Sequence, residues 1–181
     1  EKENPKVMDY LKAENKYTDE MTANLNPLKE KLFAEMKGRI KETDMNVPYK
    51  LDSFYYYTRM EEGKEYSVHC RRKNNMDAPE EILFDENEEA KNYSYFDLGE
   101  FEVSSNHQIL AYAIDTSGSI NYTFYFKDLS SGKMLPEIIY NSGSLAWTND
   151  NKTIFYSQKD STNRDYRVYR HELGTDLKND V

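Results

Sequence analysis

A mainly β fold behind an N-terminal α-helical arm is what this 181-residue sequence predicts, and three observations lead there. Four positions recur at a fixed interval: Tyr112, Tyr122, Tyr125 and Leu129 return as Tyr156, Tyr166, Tyr169 and Leu173, each 44 residues on. Beyond residue 50 the chain alternates short aromatic and β-branched runs with Gly, Asn, Asp and Ser turns. Sixteen Tyr and eight Phe against one Trp also suit pleated faces, where a broad ring packs and a phenol still reaches a partner. A period of about 40–45 residues with four short strands per unit is how the blades of a β-propeller read. A β-sandwich would alternate in the same way, but it imposes no common register on four positions. Two units are clear and a third is degraded, so a partial β-propeller of about three blades, the last incomplete, is expected over 49–181, after an arm over 1–48.

The arm is helical in character from about residue 4 to 43. Asn15 is expected to close a short first helix, and Thr18 to cap the next, with Asp19 and Glu20 meeting the positive end of its dipole. Pro27 lacks the amide a helix interior needs, so a kink or restart is expected at Asn26-Pro27. Leu28, Leu32, Phe33, Met36 and Ile40 then keep helical spacing and form one apolar stripe that must be covered by something. Glu35 and Arg39, four apart, can pair on the exposed side.

At Asn46-Val47-Pro48 the period changes. The degraded unit is expected to place strands at 54–58, 66–72 and 81–84, with a hairpin turn at Glu62-Gly63-Lys64. The second unit places them at 101–103, 109–114, 122–127 and 137–140, and the third at 145–147, 153–157 and 167–171.

Much chemistry is excluded by what is missing. Thirty-three acidic side chains against 24 basic ones give a net charge of −9, which argues against a nucleic-acid partner. No apolar run approaches the length of a membrane span, so no membrane partner is expected. Cys70 is alone, which forbids an intrachain disulfide and points to a reducing, cytoplasmic compartment, with periplasmic location or export as the alternative. His69, His107 and His171 lack metal-ligand spacing, and no Gly-x-Ser-x-Gly elbow or phosphate-cradling glycine loop occurs. Neither metal, cofactor nor catalytic residue is therefore expected within these 181 residues. The acidic pairs Glu61-Glu62, Glu80-Glu81 and Glu88-Glu89 read as solvated charge. Asp115, Gly118 and the residue after Ser119, Ile120, form a turn at the end of a strand, where propeller loops commonly face a partner.

Read together, several segments resemble the prolyl oligopeptidase family of serine peptidases, and within it the oligopeptidase B branch. They are Tyr10 to Tyr17, Glu35 to Arg39, Val47-Pro48-Tyr49, Glu65-Tyr66 and Cys70 to Lys73, then Leu83 to Asn87 and Phe101 to Tyr112. Asp115 to Gly118, Trp147 to Asp150, Phe155-Tyr156 and Tyr169 to Thr175 continue the likeness over essentially the whole chain. The resemblance implies the arm and first blades of a seven-bladed propeller joined to a C-terminal α/β-hydrolase domain that carries the Ser, Asp and His. It implies that Leu28, Leu32, Phe33 and Met36 pack on that domain, and that Asp115, Gly118 and Ile120 face it. It further implies cleavage of short peptides after Arg or Lys, with the propeller excluding folded proteins. At Ile120 this chain departs from the branch, where Glu is common, so an interdomain contact there is expected to be apolar or absent. A propeller scaffold that binds peptides or proteins without catalysis is the alternative. On either reading the 181 residues alone are expected to self-associate.

Overall fold

The structure is a computed structural model that describes residues 4–181. They fall into two compact units, divided between Glu42 and Thr43.

In the first unit, helix α1 (Pro5–Thr22) starts where the Asn4 side chain accepts a hydrogen bond from the Lys6 amide (3.0 Å), with Pro5 in the first turn. It runs unbroken through Asn15 and Thr18, which neither close nor cap a helix. Each costs a helix only about half a kcal/mol, too little to break one that has no Gly or Pro for four turns. Thr18 instead lends its carbonyl to Thr22 Oγ1 (2.8 Å). The restart at Asn26-Pro27 is present: a 3₁₀ turn (Ala23–Leu25) leads into α2 (Asn26–Gly38) with Pro27 in its first turn. Arg39 pairs with Glu35 as its spacing requires. The helix stops at Gly38, which leaves Ile40 beyond its end.

In the second unit, residues 43–48 already join the strands: Met45 bridges Arg59, and Asn46 Oδ1 accepts from the Thr58 amide (2.7 Å). A four-stranded antiparallel sheet follows, with β1 (Tyr49–Leu51), β2 (Phe54–Arg59), β3 (Val68–Lys73) and β4 (Glu80–Asp85) in sequence order. Strand β1 is too short to show a period of two; it is held by pairing with β2 and by Tyr49 stacking on Tyr56 (5.5 Å). A short helix, α3 (Glu86–Ala90), which the sequence pattern did not reveal, is capped by Asp85. Six strands then form a second antiparallel sheet: β5 (Asp97–Val103), β6 (Ile109–Asp115), β7 (Tyr122–Asp128), β8 (Met134–Trp147), β9 (Thr153–Lys159) and β10 (Asp165–Glu172).

Strand β8 corrects one expectation. The strands foreseen at 137–140 and 145–147 are two halves of one element, bent at Asn141, whose φ is +55°. Ser142 sits at the bend, opposite Tyr122 on one side and Gln158 on the other. The first half of β8 completes a four-stranded blade with β5–β7, and the second half opens the next with β9 and β10.

The period of two along β6 explains how the blades stack. Leu110, Tyr112 and Ile114 pack with Tyr56, Leu83 and Phe84 of the first sheet and with Phe96, just ahead of β5. Between them Ala111 and Ala113 point the other way, into a cluster with Phe124, Phe126, Ile139, Leu145, Ile154 and Tyr156. Two small side chains on β6 leave room for two large ones on β7.

The 44-residue repeat has a direct physical meaning. Tyr112 lies opposite Tyr125 and Tyr156 opposite Tyr169, and each pair stacks, at 5.7 Å and 5.5 Å between ring centres. The turns repeat too: the Leu129 amide reaches the Gln108 carbonyl (2.8 Å), as the Leu173 amide reaches that of Lys152 (2.9 Å). In the first sheet the corresponding pair is Tyr57 and Cys70, and there no stack forms. The first unit is degraded because one ring of the pair is missing and because α3 lengthens the interval to the next.

Candidate domain-contact surfaces

The residues singled out in sequence form two groups, one in each unit. Leu28, Leu32, Phe33 and Met36 share a face of α2, and all are exposed, Phe33 at 69 % and Met36 at 67 %. Neither α1 nor α2 buries a single described residue. A stripe of this kind left in water drives association. Sedimentation of the 181-residue chain is therefore expected to show a mass that rises across the micromolar range, and Phe33→Glu with Met36→Glu to suppress the rise. A strict monomer before substitution refutes this.

The second group is one turn. Asp115 ends β6 and is 2 % exposed. Its Oδ1 accepts from the Ser117 amide (2.8 Å) and the Ser117 hydroxyl (2.7 Å), and its Oδ2 from the Ile120 amide (2.7 Å). Burial pushes the Asp115 carboxyl up, but the bonds from Ser117, Ile120 and Asn121 outweigh it and hold it below the ordinary value. Gly118 supplies a φ of +71°, and the Tyr95 ring lies beneath the place a β-carbon would take (3.7 Å). Ile120 adopts φ +59°, a region a β-branched residue enters at a cost of about 1–2 kcal/mol. The Asp115 bond to its amide, the Lys159 ammonium on its carbonyl (3.2 Å) and the strands on either side hold it there. The outcome is an apolar side chain presented outward, 62 % exposed, on a buried acidic anchor.

The structure also assembles polar clusters that sequence reasoning took for solvated charge. Arg71, 6 % exposed, makes a two-pronged pair with Glu81 (2.8 Å each) and donates to the His107 carbonyl (2.7 Å). Its guanidinium also lies over the Phe54 ring (4.4 Å). His107 bonds Tyr56 through Nδ1 (2.8 Å) and Asp52 through Nε2 (3.0 Å), which ties the first sheet to a turn of the second. Beside this, Glu80 is gripped by Arg59 (3.0 Å) and Tyr57 (2.6 Å). Burial opposes the charge on Glu80, yet Arg59 and Tyr57 hold its carboxyl below the usual range. Burial, followed by the nearby Glu80 charge, lifts the Cys70 thiol to about 11, which makes it a poor nucleophile. The signal for these pairs was legible: Arg71-Arg72 and Glu80-Glu81 fall opposite each other when the two strands are read as a hairpin.

The remaining histidines are spent structurally. His69 bonds Glu86 (2.7 Å) and stacks on Phe101 (4.4 Å), and the fully buried His171 bonds Asp180 (2.7 Å). Among the described residues no three His, Cys, Asp or Glu side chains gather as a metal would need, and no helix is long and apolar enough to cross a membrane.

Blades in antiparallel order, stacked through alternate faces, meet a matching sequence profile: that of the prolyl oligopeptidase N-terminal β-propeller domain, over residues 1–181. The chain belongs to the prolyl oligopeptidase family. Among relatives in this family, dipeptidyl aminopeptidase BI of Pseudoxanthomonas mexicana is 39 % identical over 99 % of the chain and 27 % of its own length. Protease 2 of Moraxella lacunata is 31 % identical over 99 % of the chain and likewise 27 % of its own length. The structure of oligopeptidase B from Leishmania major superposes with a TM-score of 0.90 at 31 % identity, over 99 % of the chain and 26 % of that protein. The chain thus spans about a quarter of the length of these relatives, and the region it matches in the family is the N-terminal propeller.

Proposed function

We propose that this chain is the arm and first blades of a serine endopeptidase that cleaves short peptides after Arg or Lys, with Ser, His and Asp supplied by a C-terminal α/β-hydrolase domain. The observation behind this reading is the likeness to oligopeptidase B, which extends over 99 % of the chain in both sequence and fold. In it the propeller gates substrate size. The α2 stripe and the Asp115–Ile120 turn dock on the hydrolase domain, with Ile120 replacing a charged contact by an apolar one. A cytoplasmic location fits the single buried thiol. The described residues supply no activated serine: His107 has both ring nitrogens engaged by Tyr56 and Asp52, and Nε2 of His171 is buried without a partner.

The 39 % identity to a protein named dipeptidyl aminopeptidase favours a second reading, release of dipeptides from a free N-terminus. The test is to read the native coding frame past Val181 and assay its full product. Two Arg-containing reporters are used, one with a blocked N-terminus and one a free dipeptide. Turnover of the blocked reporter supports the endopeptidase. Turnover of the free dipeptide alone supports the second reading. A frame without a Gly-x-Ser-x-Gly elbow and a product inert on both would leave a binding scaffold. The 181-residue chain by itself is expected to be inert.

A further inference from the structure

The two stacked tyrosine pairs of the repeat differ in what the hydroxyl of their first member meets. In the later blade Tyr156 donates to Asp180 Oδ2 at 2.7 Å. Its counterpart 44 residues earlier, Tyr112, donates to the Met134 sulfur at 3.8 Å. A thioether is a weak acceptor, so this hydroxyl is poorly matched. The Tyr112 ring is 5 % exposed and packs on Phe84, 4.5 Å between ring centres. Burial, reinforced by the Glu89 carboxylate and the phenols of Tyr125 and Tyr93, lifts the Tyr112 phenol above its usual range. It therefore stays a donor at neutral pH.

The acceptor side is open to chemistry. Met134 is the first residue of β8, 48 % exposed, and lies opposite Lys127 of β7. Met8, Met21, Met36 and Met45 are exposed too, but none of them has a hydrogen bond at sulfur among the described residues. Met60 accepts from the Ser67 hydroxyl (3.2 Å) but is half-buried. Met134 alone combines access with a donor already aimed at its sulfur. A peroxide that reaches a thioether converts it to a sulfoxide. The sulfur lone pair attacks one peroxide oxygen, the O–O bond breaks, and the other oxygen leaves as water, taking the proton of the first. Sulfur gives up two electrons and the peroxide accepts them. The product is a polar S=O where a weak acceptor stood. Tyr156 with Asp180 shows that the same fold position accommodates an oxygen against this hydroxyl.

We propose that Met134 is a peroxide-sensitive modification site whose sulfoxide oxygen takes the hydrogen bond from Tyr112. Oxidation there tightens the start of β8 on the tyrosine pair that joins β6 to β7. The usual outcome of a methionine sulfoxide, disrupted packing, is thereby reversed at this one residue. The inference concerns the blades alone and does not depend on which peptides the parent protein cleaves.

The experiment treats the full-length protein with dilute hydrogen peroxide, follows each methionine by peptide mass mapping, and crystallises the product. Expected is sulfoxide at Met134, with its oxygen within hydrogen-bond distance of the Tyr112 hydroxyl. In parallel, Met134→Gln supplies an oxygen acceptor without oxidation, and Met134→Leu supplies none. The glutamine variant is expected to melt about 1–3 °C above the leucine variant, and the difference to vanish when both carry Tyr112→Phe. The crystal of the oxidised parent decides the matter should Tyr112→Phe misfold. Met134 still reduced when Met21 is fully converted, a sulfoxide oxygen turned away from Tyr112, or a glutamine–leucine difference that is absent or survives Tyr112→Phe overturns the proposal.

Discussion

Phe124→Ala is expected to cost about 3–5 kcal/mol of folding stability. Phe124 is fully buried and stands between Ala113 on β6 and Ile139 on β8, in the cluster that joins one blade to the next. Removing its ring opens a cavity on both counts: the two flanking alanines of β6 cannot reach into it, and Leu145 and Ile154 lose a facing partner. Because a domain's whole stability is about 5–15 kcal/mol, a loss of this size leaves the stacked blades marginal. Urea denaturation of the full-length protein measures it. Tyr140→Ala, at a side chain 65 % exposed, serves as the control and is expected to stay within about 0.5 kcal/mol. A loss below 1 kcal/mol for Phe124→Ala would show that the two blades do not close on each other there.

Asp115→Ala is expected to follow at about 2–3 kcal/mol, because it strands the Ser117 and Ile120 amides at a buried anchor. Part of the loss is returned as Ile120 relaxes from its left-handed conformation. The same residue confers a pH dependence whose sign follows from its depressed folded-state value. The unfolded carboxyl, at its ordinary 3.8, takes up a proton before the folded one does. The stabilising contribution is therefore complete above about pH 5 and is lost as pH falls below 3.8 through the folded-state value. Asp115→Asn keeps one acceptor and removes the titration, so its stability curve is expected to be flatter than that of the parent between about pH 2 and 5. Parallel curves for the two proteins would place the titration elsewhere.

The same turn separates structural from interdomain roles. Asp115 holds the loop, and Gly118 lets it curl above Tyr95, so substitution of either changes the fold first. Ile120 projects outward and bonds only through its backbone, so its side chain is free to meet a neighbour. Replacement of Ile120 thus probes contact without touching the anchor.

What could be read from the residues alone was whatever repeats or alternates. The 44-residue interval needs no coordinates, since it reports a cross-strand tyrosine stack that recurs in each regular blade. The restart at Pro27 is equally local, because a missing amide and a locked φ act at one residue. The stripe on α2 and the turn at Asp115 were visible for the same reason: spacing and turn chemistry are short-range. Where weak local signals were pressed too far they misled, as at Asn15 and Thr18, whose small helix penalties lose to an otherwise continuous helix.

Tertiary structure alone decided the rest. Whether the runs before and after Asn141 are two strands or one depends on Ser142 finding partners on both sides, a fact of pairing between segments 16 to 20 residues away. Charge in Glu80, Glu81 and Arg71 looks solvated in a linear sequence. It becomes a paired network around the buried Arg71 only when β3 and β4 are laid in register and the His107 turn closes over them. Glu137 carries no motif, and its bond from the Gly174 amide depends on a turn 37 residues later in the chain. Local chemistry sets strands, turns and repeats, since those energies are decided within a few residues. Burial and desolvation are set by neighbours distant in sequence, so the chain's charged groups acquire their roles only on folding.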